Sequence, residues 1–256
     1  MSSNGRIVWF DLMTTDTNAA KDFYGAVVGW TTSTYGGDYQ MWNAPDGGIG
    51  GFMTLPAEAK AMGAPPHWVG YVSVPDLDAT IAKATGRGAT VLVPATNIEG
   101  GGRFALLADP EGASFGVHCH PEQGERRSQA GLGQFSWTEL ACADLDQALA
   151  FYFDLFGWVK SDAMEMPGGG VYQMFKPAGD AYALGGAMKR PAQMPMSAWV
   201  FYFRVADCDA AFAAAMERGA TVRYPPMDIP GGGRACLVAD PQGATFGLSH
   251  DPKPQA

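Results

Sequence analysis

The sequence predicts an α+β protein built by tandem duplication, with two β-α-β-β-β modules in each copy. Three observations support this class. The chain repeats itself with an offset of about 131 residues, and within each copy short strand patterns alternate with helical patterns. Its 256 residues also include 34 Gly and 18 Pro, which favours many turns and short strands over a helical bundle.

The repeat is clearest in the last third of each copy. Residues 87–117 and 218–248 are identical at 19 of 31 aligned positions. Two copies of this length are domains rather than the stacked units of a solenoid. The polar segment between them predicts a boundary near residue 125, with a first domain at 1–123, a linker at 124–132 and a second domain at 133–256.

The first copy supplies its elements in a regular order. A strand is predicted at 6–13, a helix from Thr17 with Gly29 as its stop, and strands near 31–35, 38–43 and 48–54. The same order of elements then repeats. The second half of the copy is predicted to contain a strand at 67–74, a helix ending at Gly86, and strands near 89–94, 103–108 and 113–119. Each half of the copy is therefore one module.

The second copy follows the same pattern. One helical stripe precedes Gly157, and a second, which contains Cys208, precedes Gly219. The motifs that begin at Asp109 and Asp240 read Asp-Pro-x-Gly and predict hairpin turns.

Charge and composition exclude several kinds of partner. The formal net charge is −9, and the 17 basic residues are scattered, so neither nucleic acid nor an anionic membrane surface is an expected partner. No apolar run is long enough for a membrane span, and the run near the N-terminus is too short for a signal peptide. Four cysteines without a C-x-x-C spacing are expected to be buried free thiols. A cytoplasmic protein is the resulting expectation.

These features together resemble the vicinal-oxygen-chelate superfamily, which includes glyoxalase I, extradiol dioxygenases and bleomycin-resistance proteins. The resemblance is carried by the paired modules, Phe-Tyr near the end of each first helix, Gly-Trp just after it, and the terminal Asp-Pro-x-Gly hairpins. The resemblance is present in both copies and so extends over nearly the whole chain. It is greatest for two-domain glyoxalase-like proteins. It implies that each copy folds into a cupped mixed sheet.

The resemblance also implies where metal ligands would lie, at four strand positions per copy. Here those positions carry residues without a ligating side chain: Trp9 and Trp137, Gly50 or Gly51 and Gly185 or Gly186, Val69 and Val200, and Gly116 and Gly247. Because a divalent site needs imidazole, carboxylate or thiolate donors, we expect no metal and no other cofactor.

Strand alternation predicts which side chains face the cup, because residues two apart on a strand share a face. The predicted lining is Trp9, Asp11, His67, Tyr71 and His118 in the first copy, and Trp137, Glu139, Tyr202 and Ser249 in the second. Asp11 and Glu139 are the candidate catalytic residues, and the other side chains are candidate ligand-binding residues. Core packing of the aromatic residues and structural hydrogen bonding of the carboxylates are the alternatives.

The main functional hypothesis is a metal-free protein that binds a small aromatic or cationic molecule. One alternative is a metal-independent isomerase or lyase acting on a small carbonyl compound, with Asp11 or Glu139 as general base. A further alternative is a metal-dependent lyase or dioxygenase with displaced ligands at Asp11, His67 and His118. A scaffold role is also open. The chain is expected to be a monomer with an internal pseudo-dimer or a homodimer.

The glycine runs before Arg103 and Arg234 do not predict phosphate loops, because no Lys-Ser or Lys-Thr follows them and the next element is a strand. We expect these runs to be hairpin connections, with the two arginines in surface ion pairs.

Overall fold

The computed structural model describes residues 4–120, 130–166, 169–192, 194–230 and 232–250. These residues form sixteen strands and five helices, which confirms the predicted α+β class and the duplicated order of elements. Most of the predicted linker lies outside the described residues, so the boundaries 1–123 and 133–256 stay a prediction.

The first copy contains the strands β1 to β8 and three helices. Its first half comprises β1 Ile7–Thr14, α1 Thr17–Val27, β2 Thr31–Gly36, β3 Tyr39–Ala44, β4 Gly47–Thr54 and the short helix α2 Ala57–Ala61. Its second half comprises β5 His67–Ser73, α3 Leu77–Gly86, β6 Thr90–Ile98, β7 Gly102–Ala108 and β8 Ser114–Cys119. The sequence analysis had not predicted α2.

The second copy repeats this order without a counterpart of α2. Its first half comprises β9 Phe135–Cys142, α4 Leu145–Phe156, β10 Trp158–Glu165, β11 Val171–Pro177 and β12 Gly185–Lys189. Its second half comprises β13 Ala198–Arg204, α5 Cys208–Glu217, β14 Thr221–Ile229, β15 Gly233–Ala239 and β16 Thr245–His250.

Each copy forms one mixed sheet of eight strands. The strand orders are β2-β3-β4-β1-β5-β8-β7-β6 and β10-β11-β12-β9-β13-β16-β15-β14. The first strand of each module pairs in parallel with the last strand of that module, as β1 does with β4 and β5 with β8. The other strands of each module pair as antiparallel neighbours. The candidate site described below is built on these parallel pairs and on the neighbouring strands β3 and β11.

The first helix of each module begins in the same way. The N-cap carboxylates of Asp16, Asp76, Asp144 and Asp207 each accept a hydrogen bond of 2.9–3.0 Å from the backbone N–H three residues later. Such capping satisfies one of the N–H groups that have no partner inside the helix. At the other end of α4, Gly157 has φ +68°, which is the left-handed conformation typical of a helix stop.

The structure comprises two compact units, each with modules from both copies. Unit 1 contains the described residues of Met1–Val8, Val69–Arg126 and Thr138–Trp199, and unit 2 contains those of Trp9–Trp68, Arg127–Trp137 and Val200–Ala256. The second module of the first copy is therefore in one unit with the first module of the second copy. The other two modules share unit 2.

The two units are built around the same buried chain of hydrogen bonds. In unit 1, Trp199 Nε1 donates to the Tyr152 hydroxyl at 2.9 Å, and this hydroxyl donates to Asp109 at 2.9 Å. In unit 2, Trp68 donates to Tyr24 at 2.9 Å and Tyr24 donates to Asp240 at 3.0 Å. Asp109 and Asp240 also accept bonds from backbone N–H groups of their own hairpins. The predicted hairpin turns are thus confirmed, and each is tied to a helix of the other copy.

No helix within the described ranges combines the length and the apolar character that crossing a bilayer requires.

Candidate functional site

In unit 2, three side chains from β1 and β3 form a hydrogen-bonded group that we call the Asp11 network. Trp9 and Asp11 lie two residues apart on β1, and Tyr39 begins β3. The hydroxyl of Tyr39 donates to Asp11 Oδ1 at 2.7 Å, and Trp9 Nε1 lies 3.1 Å from the same carboxylate oxygen and 2.8 Å from the Tyr39 hydroxyl oxygen. Asp11 is only 7% exposed, so its carboxylate depends on these donors.

Burial and the charge of Asp11 together keep the Tyr39 hydroxyl protonated. Burial raises the pKa of Tyr39, and the nearby negative charge of Asp11 raises it further. The phenol therefore remains a neutral donor at physiological pH. Trp9 and Tyr39 are partly exposed, so the network presents aromatic surface next to a carboxylate.

In unit 1, two residues of the second copy form a similar but smaller group, which we call the Glu139 pair. Tyr172 on β11 donates a hydrogen bond of 3.0 Å to Glu139 Oε1 on β9. Tyr172 is the repeat counterpart of Tyr39, because both open a Tyr-Gln-Met sequence. Glu139 is partly buried. A tyrosine hydroxyl bonded to a carboxylate on a first strand is therefore present in both copies.

Each of these tyrosines lies over a glycine on the last strand of its module. Gly51 lies opposite Asp11 in the β1–β4 pairing, and a Cβ on Gly51 would be 2.0 Å from the Tyr39 hydroxyl oxygen. Gly186 lies opposite Glu139, and a Cβ there would be 2.1 Å from Cζ of Tyr172. Only glycine permits such a close approach.

The second modules repeat the arrangement with a tyrosine from the neighbouring parallel strand. Tyr71 on β5 lies opposite Gly116 on β8, and a Cβ on Gly116 would be 2.1 Å from Cδ1 of the ring. Tyr202 and Gly247 have the same relationship in unit 2, at 2.0 Å. All four modules thus place a tyrosine ring against a glycine of the last strand.

These four glycines are among the positions at which the resemblance implied metal ligands. Glycine supplies no donor, and the neighbouring ring fills the space that a ligand side chain would need. Trp9 and Trp137 also lack a metal-binding atom, while Val69 and Val200 are buried. In the part of the chain that the structure describes, no group of three or more His, Cys, Asp or Glu side chains has an arrangement suited to a metal ion.

The two predicted histidines are bonded to backbone carbonyls. His67 Nδ1 lies 2.7 Å from the carbonyl oxygen of Pro65, and His118 Nε2 lies 2.9 Å from that of Gly101. Burial lowers the pKa of both imidazoles, so each favours its neutral form, in which the contacting N–H donates to the carbonyl. His67 belongs to unit 2 with Asp11, whereas Tyr71 and His118 belong to unit 1.

The remaining predicted residues pack mainly within unit 2. Trp137 contacts a small cluster formed by Val200, Tyr202 and Leu237. Ser249 Oγ lies 2.7 Å from Ser136 Oγ, which also donates to the carbonyl oxygen of Tyr202.

The two arginines after the glycine runs form ion pairs, as expected. Arg103 pairs with Asp78 at 2.8 Å. Arg234 pairs with Asp209 at 2.8 Å and with Asp228 at 2.7 Å.

The sequence analysis missed Tyr39 and Tyr172 as site residues. It did not place either residue on the same face as Asp11 and Glu139. The available signal was the glycine on each last strand, since glycine inside a strand often marks the close approach of another group.

The comparisons with known proteins agree on one family. A family model described as the Glyoxalase/Bleomycin resistance protein/Dioxygenase superfamily matches residues 6–117 and again 134–248. The chain is 38% identical over 256 residues to a Mycobacterium tuberculosis protein named "Putative glyoxylase CFP32", covering 96% of this chain and 95% of that protein. It is 28% identical over 267 residues to the anthracycline biosynthesis protein DnrV of Streptomyces peucetius, covering 95% and 92%.

Solved structures show the same fold at low sequence identity. The Mn(II)-bound glyoxalase from Novosphingobium aromaticivorans aligns with a TM-score of 0.69 at 16% identity, covering 98% of this chain and 83% of that one. The 2,3-dioxygenase LapB from Pseudomonas sp. KL28 aligns with a TM-score of 0.67 at 13% identity, covering 99% and 96%. These likenesses concern the fold alone, because one fold can host many functions.

Proposed function

Because the chain belongs to the Glyoxalase/Bleomycin resistance protein/Dioxygenase superfamily, we propose that it uses this fold to bind a small aromatic cation without a metal ion. The proposed binding groups are the Asp11 network in unit 2 and the Glu139 pair in unit 1. Each offers one carboxylate beside aromatic rings, and each lies within a single compact unit.

One observation carries the proposal: tyrosine rings lie where metal-binding side chains would have to start. At Gly51, Gly116, Gly186 and Gly247 a Cβ would be 2.0–2.1 Å from a tyrosine atom. A carboxylate ligand at any of these positions would require the ring to leave. We infer that the family's donor set has been replaced by aromatic surface.

The remaining groups suit a flat cation. A carboxylate that is largely withdrawn from water attracts positive charge more strongly than an exposed one, and indole and phenol rings offer stacking and cation–π contact. The net charge of −9 also favours a cationic ligand, because it raises the concentration of cations near the protein. The relative DnrV is named for anthracycline biosynthesis.

A second candidate is a metal-independent isomerase or lyase acting on a small carbonyl compound. The favouring observation is the Tyr39–Asp11 hydrogen bond of 2.7 Å, which places a proton donor and a carboxylate side by side. The relative named as a glyoxylase supports the same class. In this alternative Asp11 or Glu139 removes a proton from substrate and the tyrosine hydroxyl orients the carbonyl.

Calorimetric titration with an anthracycline that carries a free amino sugar, and with its neutral N-acetyl form, tests the proposal. We expect the cationic form to bind more tightly. Asp11→Asn and Glu139→Gln should each weaken binding at their own site by about 10-fold or more, which corresponds to the loss of a charge-assisted contact of about 1.5–3 kcal/mol. Asp22→Asn, an exposed carboxylate on α1, is the matched control and should not change the affinity.

Elemental analysis of untagged protein accompanies the titration. Equal affinity for the charged and neutral forms, or no heat with either, would contradict the binding proposal. One equivalent of transition metal per chain would contradict its metal-free part and would direct mutagenesis to Asp11, His67 and His118. Turnover of a small ketoaldehyde that is lost in Asp11→Asn would favour the isomerase or lyase instead.

A further inference from the structure

The two proposed binding groups differ at one position of the strand that carries their tyrosine. β3 and β11 align from the Tyr-Gln-Met sequence that opens with Tyr39 in the first copy and with Tyr172 in the second. Further along the two strands, this alignment matches Asn43 with Lys176. The first copy therefore has a neutral amide where the second copy has a cation.

Strand alternation places the Lys176 side chain on the same face of the sheet as Tyr172. A Cβ on Gly186 would lie 2.1 Å from Cζ of Tyr172. A Cβ on the preceding residue of β12, Gly185, would lie 3.0 Å from Cζ of Phe175. Because neighbouring residues of a strand point to opposite faces, Tyr172 and Phe175 lie on different sides of the sheet. Lys176 follows Phe175, so it returns to the side of Tyr172 and its carboxylate partner.

In the first copy, Asn43 lies beside the indole of the Asp11 network. A Cβ on Gly48 would be 3.8 Å from Asn43 Oδ1 and also 3.8 Å from Trp9 Cη2. The two side chains therefore meet over the same glycine of β4. Asn43 Nδ2 donates a hydrogen bond of 3.0 Å to Ser33 Oγ. The position that corresponds to Lys176 is thus neutral and already hydrogen-bonded in this site.

The ammonium of Lys176 has no ion-pair or hydrogen-bond partner within the described residues, although the side chain is half-buried. A charge that is partly withdrawn from water without a partner destabilises a protein. The Glu139 carboxylate on the same face is bonded to Tyr172 instead, at 3.0 Å. The described part of the chain therefore supplies no counter-ion to Lys176, and a ligand with an anionic group would supply one.

The spacing of the two charges suits a ligand of aromatic size. Glu139 and Lys176 lie two strands apart in the order β11-β12-β9, which is about 10 Å across the sheet. Met174 pairs with Gly186, the residue that lies opposite Glu139. Lys176 lies two residues beyond Met174, so the offset along the strand is about 7 Å. The two Cα atoms are therefore about 12 Å apart, and one ring with a charged group at each end spans the gap between the two long side chains.

We propose that the Glu139 pair and Lys176 together bind a zwitterionic aromatic ligand, in which an amine and a carboxylate lie at opposite ends of the ring. Lys176 is the residue that determines this specificity. The Asp11 network, which has Asn43 in its place, binds aromatic cations that lack the acid group. This inference rests on the proposed function and refines it, because the two sites of one chain then select ligands of different charge.

NMR titration with two matched probes tests the inference. para-(Aminomethyl)benzoate carries an ammonium and a carboxylate on opposite sides of one ring, and its methyl ester carries the ammonium alone. Asp11→Asn leaves the Glu139 pair intact, and in this variant the zwitterion should bind about 10-fold more tightly than the ester, as expected for a charge-assisted contact. Glu139→Gln leaves the Asp11 network intact, and this variant should bind the ester at least as tightly as the zwitterion.

Exchange of the two residues should exchange the preferences. In the Asp11→Asn protein, a further Lys176→Asn change should lower the preference for the zwitterion about 10-fold, whereas Lys176→Arg should retain it. A purely structural role of Lys176 would not change the ratio of the two affinities. In the Glu139→Gln protein, a further Asn43→Lys change should raise the affinity for the zwitterion relative to the ester.

Lys160→Asn is the matched control. Lys160 is exposed and pairs with Phe175, so it lies on the other face of the sheet and its loss should leave the ratio unchanged. Equal affinity of the two probes in Asp11→Asn would overturn the inference, as would no binding of either probe or a preference that survives Lys176→Asn. The anthracycline titration decides separately whether the proposed function holds, because that titration requires no anionic group on the ligand.

Discussion

The ring of Tyr71 occupies the space directly above Gly116, so that a Cβ on this glycine would lie 2.1 Å from the ring. The two residues are partners in the parallel pairing of β5 and β8. The same close approach of a tyrosine ring to a glycine of the last strand recurs in every module, which makes the glycine and the tyrosine a structural pair rather than two separate features.

Gly116→Ala is therefore expected to destabilise the protein by about 1–3 kcal/mol, the usual cost of overpacking. Urea unfolding measures the change. Tyr71→Ala in the same chain should recover part of the loss, so the two effects should not add. Gly86→Ala at the end of α3 has open space around it and is the control, with an expected change below about 1 kcal/mol. Additive effects at Gly116 and Tyr71 would show that the ring does not limit this position.

Trp42→Phe is expected to change the free energy of unfolding by less than about 1 kcal/mol. Trp42 is 0% exposed, and its Nε1 has no hydrogen-bond partner among the described residues. An unsatisfied buried donor costs about 1–3 kcal/mol, which offsets the packing lost with the smaller ring. The second copy already has Phe175 at the corresponding position.

Trp30→Phe is the comparison for that variant, and urea unfolding measures the stability of both. Trp30 Nε1 donates to the carbonyl oxygen of Gly133 at 2.8 Å, so its removal leaves a buried acceptor and should cost about 1–3 kcal/mol. If Trp42→Phe were as damaging as Trp30→Phe, the unpartnered indole would not be a stability cost.

Asp109 and Asp240 should make the protein less stable as the pH rises through the acidic range. Burial raises the pKa of both carboxyls above their ordinary value of 3.8, so the folded state holds these protons to higher pH than the unfolded state. Ionisation of these buried carboxyls destabilises the folded state. This destabilisation is absent below pH 3.8 and complete above the raised folded pKa. Asp240→Asn should flatten this part of the pH–stability curve, measured by thermal unfolding between pH 3.5 and pH 7. An unchanged slope would show that Asp240 is not the group responsible.

Glu111→Gln should lower stability at pH 7 by about 1 kcal/mol. Burial opposes ionisation of Glu111, but hydrogen bonds from Ser197 and from the backbone N–H groups of Ala143 and Asp144 outweigh it and lower its pKa below 4.5. The two backbone bonds, at 2.6 and 2.8 Å, are made at the start of α4. The stabilisation is present above pH 4.5 and is lost as the pH falls through the folded pKa.

Chemical denaturation at pH 7 and at pH 3.5 measures this difference, with the exposed Glu217→Gln as control. The difference between the wild type and Glu111→Gln should be smaller at the lower pH. A gap of the same size at both pH values would exclude the charge of Glu111 as its cause.

Much of the fold follows from local signals in the sequence. The repeat, the helix beginning at Thr17, the end of α3 at Gly86 and the Asp109 hairpin are each determined by nearby residues, and the structure confirms them. The family resemblance is also confirmed. Strand alternation correctly placed Trp9 and Asp11 on one face, as their hydrogen bond shows.

Other features depend on contacts that local patterns do not encode. Tyr39 reaches Asp11 from a different strand, so its role depends on the order β3-β4-β1 and on the register of Gly51. The pairing of Tyr24 with Asp240 joins residues 216 positions apart, and nothing near either residue specifies its partner. The roles of His67, His118, Trp137 and Ser249 in ligand binding stay predictions.

The Tyr24–Asp240 bond also has a consequence for synthesis of the chain on the ribosome. Asp240 is added 216 residues after Tyr24, which takes about 10–40 s at about 5–20 residues per second. During that interval the aromatic residues around Tyr24 have been made, but the final hairpin that completes their unit has not. The nascent first copy therefore waits for a distant part of the chain before the surroundings of Tyr24 are complete.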